Sequence, residues 1–176
     1  MRRVTLTVIA LLSVVGAGCG GDSNTLTFDE PNAGFTFSYP KGFAGGFTAV
    51  GREIEGRPPA FTGNVGLDEV NVLVVSTYML KRPIDPTTDR PFIDGTVRGI
   101  ARATQMTIGK SAAEKLGDLA AFAYDLDATD GSTHSRLILG FKDRTEYFLR
   151  CNWDADGANK IPDACREAQR SFKLTG

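Results

Sequence analysis

The chain has 176 residues, with 20 Lys and Arg against 21 Asp and Glu, and a formal net charge of −1 at pH 7. This balance, without a basic run, argues against a surface that holds nucleic acid through counterion release. The length suits one domain, and three cysteines and one histidine leave few residues for metal ligation or nucleophilic catalysis.

Residues 1–18 have the pattern of a secretory signal. Two arginines precede an apolar run at residues 4–15, which is too short for a helix crossing a bilayer core of about 30 Å. Three small residues and then Cys19 follow, an arrangement that resembles a bacterial lipoprotein signal cleaved before a lipidated cysteine. Gly16 stands where such signals usually carry Leu or Val, and an ordinary signal peptide is the alternative.

Cysteine usage supports export. With Cys19 assigned to lipid, Cys151 and Cys165 form an even pair, and such a pair in an oxidising compartment is typically a disulfide. A cysteine carrying two acyl chains anchors a protein stably. Residues 19–25 are then the lipidated cysteine and a short polar tether, and residues 26–176 are one domain at the extracytoplasmic face of the cell membrane.

The predicted elements of the domain begin with strands. In residues 26–28 and 35–39, apolar side chains alternate with small polar ones, which is typical of half-buried strands. Residues 47–54 favour another strand, although nearby glycines weaken that prediction. Residues 70–80 are almost continuously apolar and rich in β-branched side chains, which predicts a central strand buried on both faces.

An exposed loop is predicted at residues 57–63. Its two prolines and its aromatic residue form a candidate partner-binding surface, made of Arg57, Pro58, Pro59 and Phe61. The alternative is that Phe61 packs back onto the core.

A mid-chain helix is predicted next. Its expected N-cap is Thr88 or Asp89, with Pro91 in the first turn. Its apolar face is formed by Ile93, Val97, Ile100 and Ala101. Gly95 and Gly99 cost about 1 kcal/mol each relative to alanine, and we expect close packing of the helix backbone against the sheet to be the reason.

The second half of the chain predicts an antiparallel meander and a terminal helix. Strands are predicted at residues 105–110, 119–128, 136–142 and 146–153. Thr129-Asp130-Gly131 is typical of a hairpin turn. The helix is predicted at residues 159–172.

This order of elements resembles the PsbP/DcrB-like superfamily. The resemblance rests on the sequence GFTFSYP at residues 34–40, the mid-chain helix, the long meander and a terminal helix closed by Ser171-Phe172. Actinobacterial-type lipoproteins share this layout, including a cysteine pair joining the last strand to the last helix; Phe43 stands where many relatives have Trp. The resemblance implies an α+β fold, a PsbP-like α/β sandwich with helices packed against an antiparallel sheet, and a binding, accessory or assembly role.

Few residues point to catalysis. His134 lies beside a predicted hairpin turn, the chain has no Gly-x-Ser-x-Gly elbow, and we expect this histidine at the surface. Asp125, Asp127 or Glu146 offer carboxylates for glycoside hydrolysis, but strand alternation already explains their expected exposure.

A calcium-loop spacing follows the last predicted strand. Asn152, Asp154, Asp156 and Asp163 stand at positions one, three, five and twelve, with Gly157 at position six. The asparagine at position one and the short Asp at position twelve depart from the pattern. The alternative is a polar turn between strand and helix.

The sequence therefore predicts a membrane-anchored envelope lipoprotein that acts as a non-catalytic binding, accessory or assembly module. We expect no cofactor, and a partner that is an envelope protein, a lipid or a glycolipid. Two other classes stay open: an envelope hydrolase, with polar groups converging in a cleft, and a carrier of a small ligand or lipid, with an apolar pocket between sheet and helix.

The anchor can be tested directly. Cys19→Ser should abolish labelling with palmitate and release the folded domain from membranes, because anchor and core are separate parts of the chain. Membrane fractionation after a high-salt wash measures the release. A variant that stays bound and labelled would contradict the lipoprotein assignment.

Overall fold

A computed structural model describes residues 24–47, 52 and 58–175. The predicted signal, Cys19, Arg57 and most of the strand predicted at residues 47–54 lie outside the described residues. Neither helix of the described part has the length and hydropathy of a membrane-spanning segment.

The described chain forms ten strands and two helices. In order they are β1 (Thr25–Asp29), β2 (Phe35–Pro40), β3 (Ala44–Gly45), β4 (Phe61–Gly66), β5 (Val72–Met79), α1 (Arg90–Ala103), β6 (Met106–Leu116), β7 (Leu119–Ala128), β8 (His134–Lys142), β9 (Thr145–Trp153), α2 (Ile161–Ser171) and β10 (Lys173–Leu174). A seven-stranded sheet has the order β3-β4-β5-β9-β8-β7-β6, and a smaller sheet has the order β1-β2-β10. Every pairing is antiparallel.

The centre of the large sheet is the pair β5 and β9, which confirms the prediction of a central strand near residues 70–80. Along each of these two strands, successive side chains point to opposite faces of the sheet, as the pleat requires. Leu73 and Val75 of β5 and Leu149 of β9 pack on the α2 side. Tyr78 and Phe148 pack on the α1 side.

The smaller sheet and α2 cover one face of the large sheet together. An aromatic cluster fills the space between the two sheets, where the rings of Phe28 and Phe37 stack 4.8 Å apart and those of Phe35 and Phe172 5.1 Å apart. Phe61 meets Phe28 and Phe35 edge-on. Phe61 therefore begins β4 and packs in the core, whereas the sequence predicted an exposed loop there; Pro58 is exposed and Pro59 half-buried.

Helix α1 covers the opposite face, over β7 and β8. Its buried residues are Ile93, Val97 and Ala101. They pack against the side chains of Phe122, Tyr124, Leu126, Leu137 and Leu139. Asp89 occupies the N-cap without a side-chain capping bond, since its carboxylate pairs with Arg82 instead, which holds the pKa of Asp89 low, at about 2.

The predicted α+β fold with helices packed against an antiparallel sheet is confirmed. The second sheet was not predicted, because β10 has two residues and no periodicity reveals so short a strand. Strand β6 also runs further than predicted, to Leu116, across an irregularity between Ile108 and Ser111.

The predicted disulfide between Cys151 and Cys165 is present. The two Cα atoms lie 6.0 Å apart, and both residues are fully buried. The bond joins β9 to α2, and so ties the helix to the centre of the large sheet.

Loss of this disulfide should lower stability by about 3 kcal/mol, since it closes a loop with a sequence separation of 14. For a chain of this size the expected fall in Tm is roughly 6–12 °C. Thermal unfolding of a Cys151→Ala, Cys165→Ala variant, with and without reductant, measures it. The variant should not respond to reductant, and free thiols at these two positions in the unreduced protein would contradict the assignment.

Candidate functional site

A cleft lies between α1 and the centre of the large sheet. Its volume is about 400 Å³, within the range of roughly 300–1,000 Å³ that is typical of ligand sites. Its floor consists of cross-strand pairs of β5 and β9, in which Val74 lies opposite Arg150, Ser76 opposite Phe148 and Tyr78 opposite Glu146. The cleft lies beside α1 because this helix packs over β7 and β8 rather than over the pair of β5 and β9.

Small side chains on α1 form the wall. Thr96, Gly99 and Ala103 line the cleft at spacings of three and four residues, which place them on one helical face beside the buried one. A Cβ atom at Gly99 would meet nothing within 4 Å, and one at Gly95 would meet only the guanidinium of Arg98, at 3.8 Å. The expectation that these glycines allow close packing against the sheet is wrong. Gly99 instead leaves the wall open.

Arg150 carries a positive charge into this cleft without a partner. Among the described residues no carboxylate pairs with its guanidinium, and its Nε atom is buried without a hydrogen bond. Burial lowers the pKa of Arg150, although an arginine stays protonated at neutral pH. Arg150 is half-buried, and keeping its Nε group from water without a hydrogen bond costs free energy in the ligand-free protein.

Tyr78 presents a second unused polar group. Its side chain is 2% exposed; its hydroxyl lies near the Ser76 side chain and the Arg52 backbone but has no partner in hydrogen-bond geometry within the described chain. Burial raises the pKa of Tyr78, so the phenol is protonated at neutral pH and can donate. Tyr78 and Arg150 both line the cleft and together offer N–H and O–H donors with no acceptor.

An ion pair closes one end of the cleft. Arg52 hydrogen bonds to Glu146, and its guanidinium lies 4.9 Å from the ring centroid of Tyr78 and 4.8 Å from that of Phe148. Glu146 is 3% exposed, so the expectation of an exposed carboxylate is wrong; burial raises its pKa, against the lowering effect of Arg52. Because Glu146 is paired with Arg52, it does not balance the charge of Arg150.

A second cavity of about 290 Å³ continues the cleft past the C-terminal end of α1. Ile100, Thr104 and Arg150 line both cavities. The second cavity is otherwise partly apolar, with Val70, Met106, Leu126 and Leu137 among its lining residues. Arg150 therefore stands between two cavities that together form an elongated site.

The opposite face of the sheet holds the other polar side chains that the sequence singled out. Asp127 hydrogen bonds to Nδ1 of His134 at 2.6 Å, and the ring of His134 stacks on Trp153 with centroids 5.7 Å apart. Asp125 pairs with Arg136, which also pairs with Glu114. Asp125 and Asp127 are separated from Glu146 by the sheet, and the structure does not bring them together as a carboxylate pair.

The residues with calcium-loop spacing have separate partners. The Asp154 carboxylate accepts hydrogen bonds from the backbone N–H groups of Asp156 and Gly157, and Asp163 pairs with Arg166. Asn152 lies on the sheet and accepts a hydrogen bond from Ser135. Among the described residues no group of three or more His, Cys, Asp or Glu side chains is placed to hold a metal ion.

The glycine of this motif has a packing explanation. A Cβ atom at Gly157 would lie 1.9 Å from the Asn71 Oδ1 atom, which also accepts a hydrogen bond from the Asp154 backbone. This local geometry matches the predicted alternative, a polar turn between strand and helix.

Sequence reasoning left a pocket between sheet and helix open as an alternative but did not identify Tyr78 and Arg150 as its polar residues. Arg150 has one possible signal, a cation directly between the buried residues Leu149 and Cys151. The small residues at positions 96, 99 and 103 of α1 are another, at a helical spacing beside the apolar face. Neither signal identifies a site by itself, because the pairing of β5 with β9 is what brings Tyr78 and Arg150 to one surface.

Several solved structures have a fold similar to that of this chain, although their sequences are only 10–13% identical to it. The solution structure of cyanobacterial PsbP (CyanoP) from Synechocystis sp. PCC 6803 matches with a TM-score of 0.61 at 13% identity, over 92% of this chain and 99% of that one. LpqN of Mycobacterium tuberculosis, described as involved in cell envelope biogenesis, matches with a TM-score of 0.51 at 13% identity, over 88% and 94%. The chain thus has a PsbP-like fold.

A third match is a crystal structure from Bacteroides thetaiotaomicron, with a TM-score of 0.52 at 10% identity; it covers 87% of this chain and 49% of that one. No protein-family model and no curated relative matches the sequence. The likeness is one of fold, and the site has to be interpreted from its own residues.

Arg150→Met should leave stability unchanged or raise it by up to about 1 kcal/mol, because it replaces a half-buried cation that has no carboxylate partner among the described residues with an apolar chain of similar length. Arg136→Met is the matched control. It removes the ion-pair partner of Asp125 and of Glu114, which keeps only its hydrogen bond from Gln169, and should cost roughly 1–2 kcal/mol. Denaturant unfolding measures both, and a larger loss for Arg150→Met than for Arg136→Met would contradict this account.

Proposed function

We propose that this chain is a lipid-anchored envelope protein that acts by binding a small, partly apolar molecule in the cleft between α1 and the large sheet. The observation that carries the proposal is the combination of an apolar floor with two unused donors, on Tyr78 and Arg150. A ligand site is typically an apolar concavity with a few polar groups that fix orientation.

The elements around the cleft favour a binding site that is already formed in the ligand-free protein. Its floor is the centre of a seven-stranded sheet, and its wall is a helix fixed by three buried side chains. Rigid elements hold donors in place at little entropic cost on binding. Gly99 lines the wall of the cleft, and a larger side chain at this position would fill part of it.

The location follows from the N-terminus together with the fold comparison. Cys19 and the residues before it resemble a lipoprotein signal, and LpqN, a structural neighbour, is described as involved in cell envelope biogenesis. An accessory role in the envelope fits both. Binding rather than catalysis fits the cleft, because its free groups are hydrogen-bond donors rather than a nucleophile and its base.

The cleft can be tested with the neutral fluorescent dye N-phenylnaphthylamine. The full-length chain carrying Cys19→Ser, which avoids detergent, should bind the dye saturably. Gly99→Leu should abolish this fluorescence, because the new side chain fills the cleft.

Gly95→Leu is the matched control, since the same replacement is made on the same helix at a position that does not line the cleft. Both variants should fold and gain up to about 1 kcal/mol of helix propensity. Equal dye binding by Gly99→Leu and the unsubstituted helix would exclude the cleft as the binding site.

A further inference from the structure

We propose that the ligand of this cleft is a single-chain anionic amphiphile, whose carboxylate or phosphate head binds Arg150 and Tyr78 and whose chain extends into the second cavity. The inference rests on the proposed function and adds the charge and shape of the ligand. It starts from the two donors that the protein itself leaves unused.

The charge of the cleft determines the sign of the charge on the ligand's head group. Arg52 and Glu146 neutralise one another at the far end, so among the described residues the free charge facing the first cavity is that of Arg150. A guanidinium matches the two oxygens of a carboxylate or phosphate, and such charge-assisted bonds are stronger than neutral ones. An anion would also remove the cost of burying this cation alone.

Tyr78 adds selectivity for an acceptor. Its phenol is protonated at neutral pH, and a ligand oxygen at the floor of the cleft would accept the hydrogen bond that the nearby Ser76 side chain and Arg52 backbone do not complete in the described chain. A ligand cation would meet Arg150 with like charge. A neutral head would accept from Tyr78 but leave the guanidinium uncompensated.

Shape determines the rest of the ligand. Arg150 lines both cavities, and the second cavity leads away from it between Met106, Leu126 and Leu137. These side chains offer apolar contact, whereas a polar part of the same lining is formed by Thr133, His134, Ser135 and Asn152. The exposed Glu69 stands at its outer part and disfavours a second anionic group there. The geometry therefore fits one acyl chain with one anionic end.

Isothermal titration calorimetry tests this without the dye. The full-length Cys19→Ser chain is titrated with decanoate, decyl phosphate, decanol, acetate and inorganic phosphate. Decanoate or decyl phosphate should bind roughly 10- to 100-fold more tightly than decanol, as expected for a charge-assisted hydrogen bond. The stronger of the two identifies a carboxylate or a phosphate head. Acetate and inorganic phosphate should bind far more weakly, because they lack the chain.

Substitutions test whether Arg150 is the source of the preference for an anionic head group. Arg150→Met should remove the preference for the anion, and Arg150→Lys, which keeps the charge, should retain part of it. Arg102→Met removes the same charge from the exposed side of α1 and should change nothing. Thermal unfolding of each variant verifies that it is folded.

Two results would overturn this inference and leave the proposed function standing. One is that decanol binds as tightly as decanoate and decyl phosphate. The other is that the preference for an anion survives in Arg150→Met. Free acetate or phosphate matching the amphiphiles would replace the lipid-like ligand with a small anion. Loss of all binding, including that of the neutral dye, would overturn the proposed function as well.

Discussion

The pairing of β5 with β9 is the constraint on which the rest of the structure depends. Its register places Leu73 opposite Cys151 on one face and Val74 opposite Arg150 on the other. The first face becomes the core that α2 and the disulfide close, and the second becomes the floor of the cleft. A shift by one residue would exchange the two faces, because side chains alternate with a period of two.

The two faces of the large sheet are covered to different extents. The face towards α2 is closed by the helix, the smaller sheet and a stack of aromatic rings. The turn between β6 and β7 also meets the end of α2, where a Cβ atom at Gly117 would lie 1.9 Å from the Phe172 carbonyl oxygen. Of the described elements, α1 covers the other face over β7 and β8, and Arg52 lies over Tyr78 and Phe148. The cleft lies over β5 and β9 beside them.

The residues in the cleft reduce stability in a way that binding would reverse. An apolar residue at position 150 and a capable partner for the Tyr78 hydroxyl would both make a more stable ligand-free protein. Proteins commonly keep such costs where a ligand supplies the missing interaction. The polar network of Arg136, Asp125 and Glu114 on the opposite face differs, because its charges compensate one another within the chain.

The sequence alone determined the features that depend on local pattern. The meander from β7 to β9, the apolar face of α1, the turn at Gly131 and the cysteine pair could all be predicted, because periodicity, turn chemistry and cysteine count depend on neighbours along the chain. The antiparallel sheet with packed helices was what the resemblance to the PsbP/DcrB-like superfamily implied.

Only the tertiary structure decided which side chains share a surface. Phe61 was predicted in a loop and packs in a strand, because its ring completes an aromatic cluster assembled from β1 and β2. Glu146 was predicted to be exposed and is buried, because Arg52 compensates it from far along the chain. Gly99 and Arg150 define the cleft from opposite sides. No sequence spacing reveals this, because contacts between distant segments depend on strand pairing and on where α1 crosses the sheet.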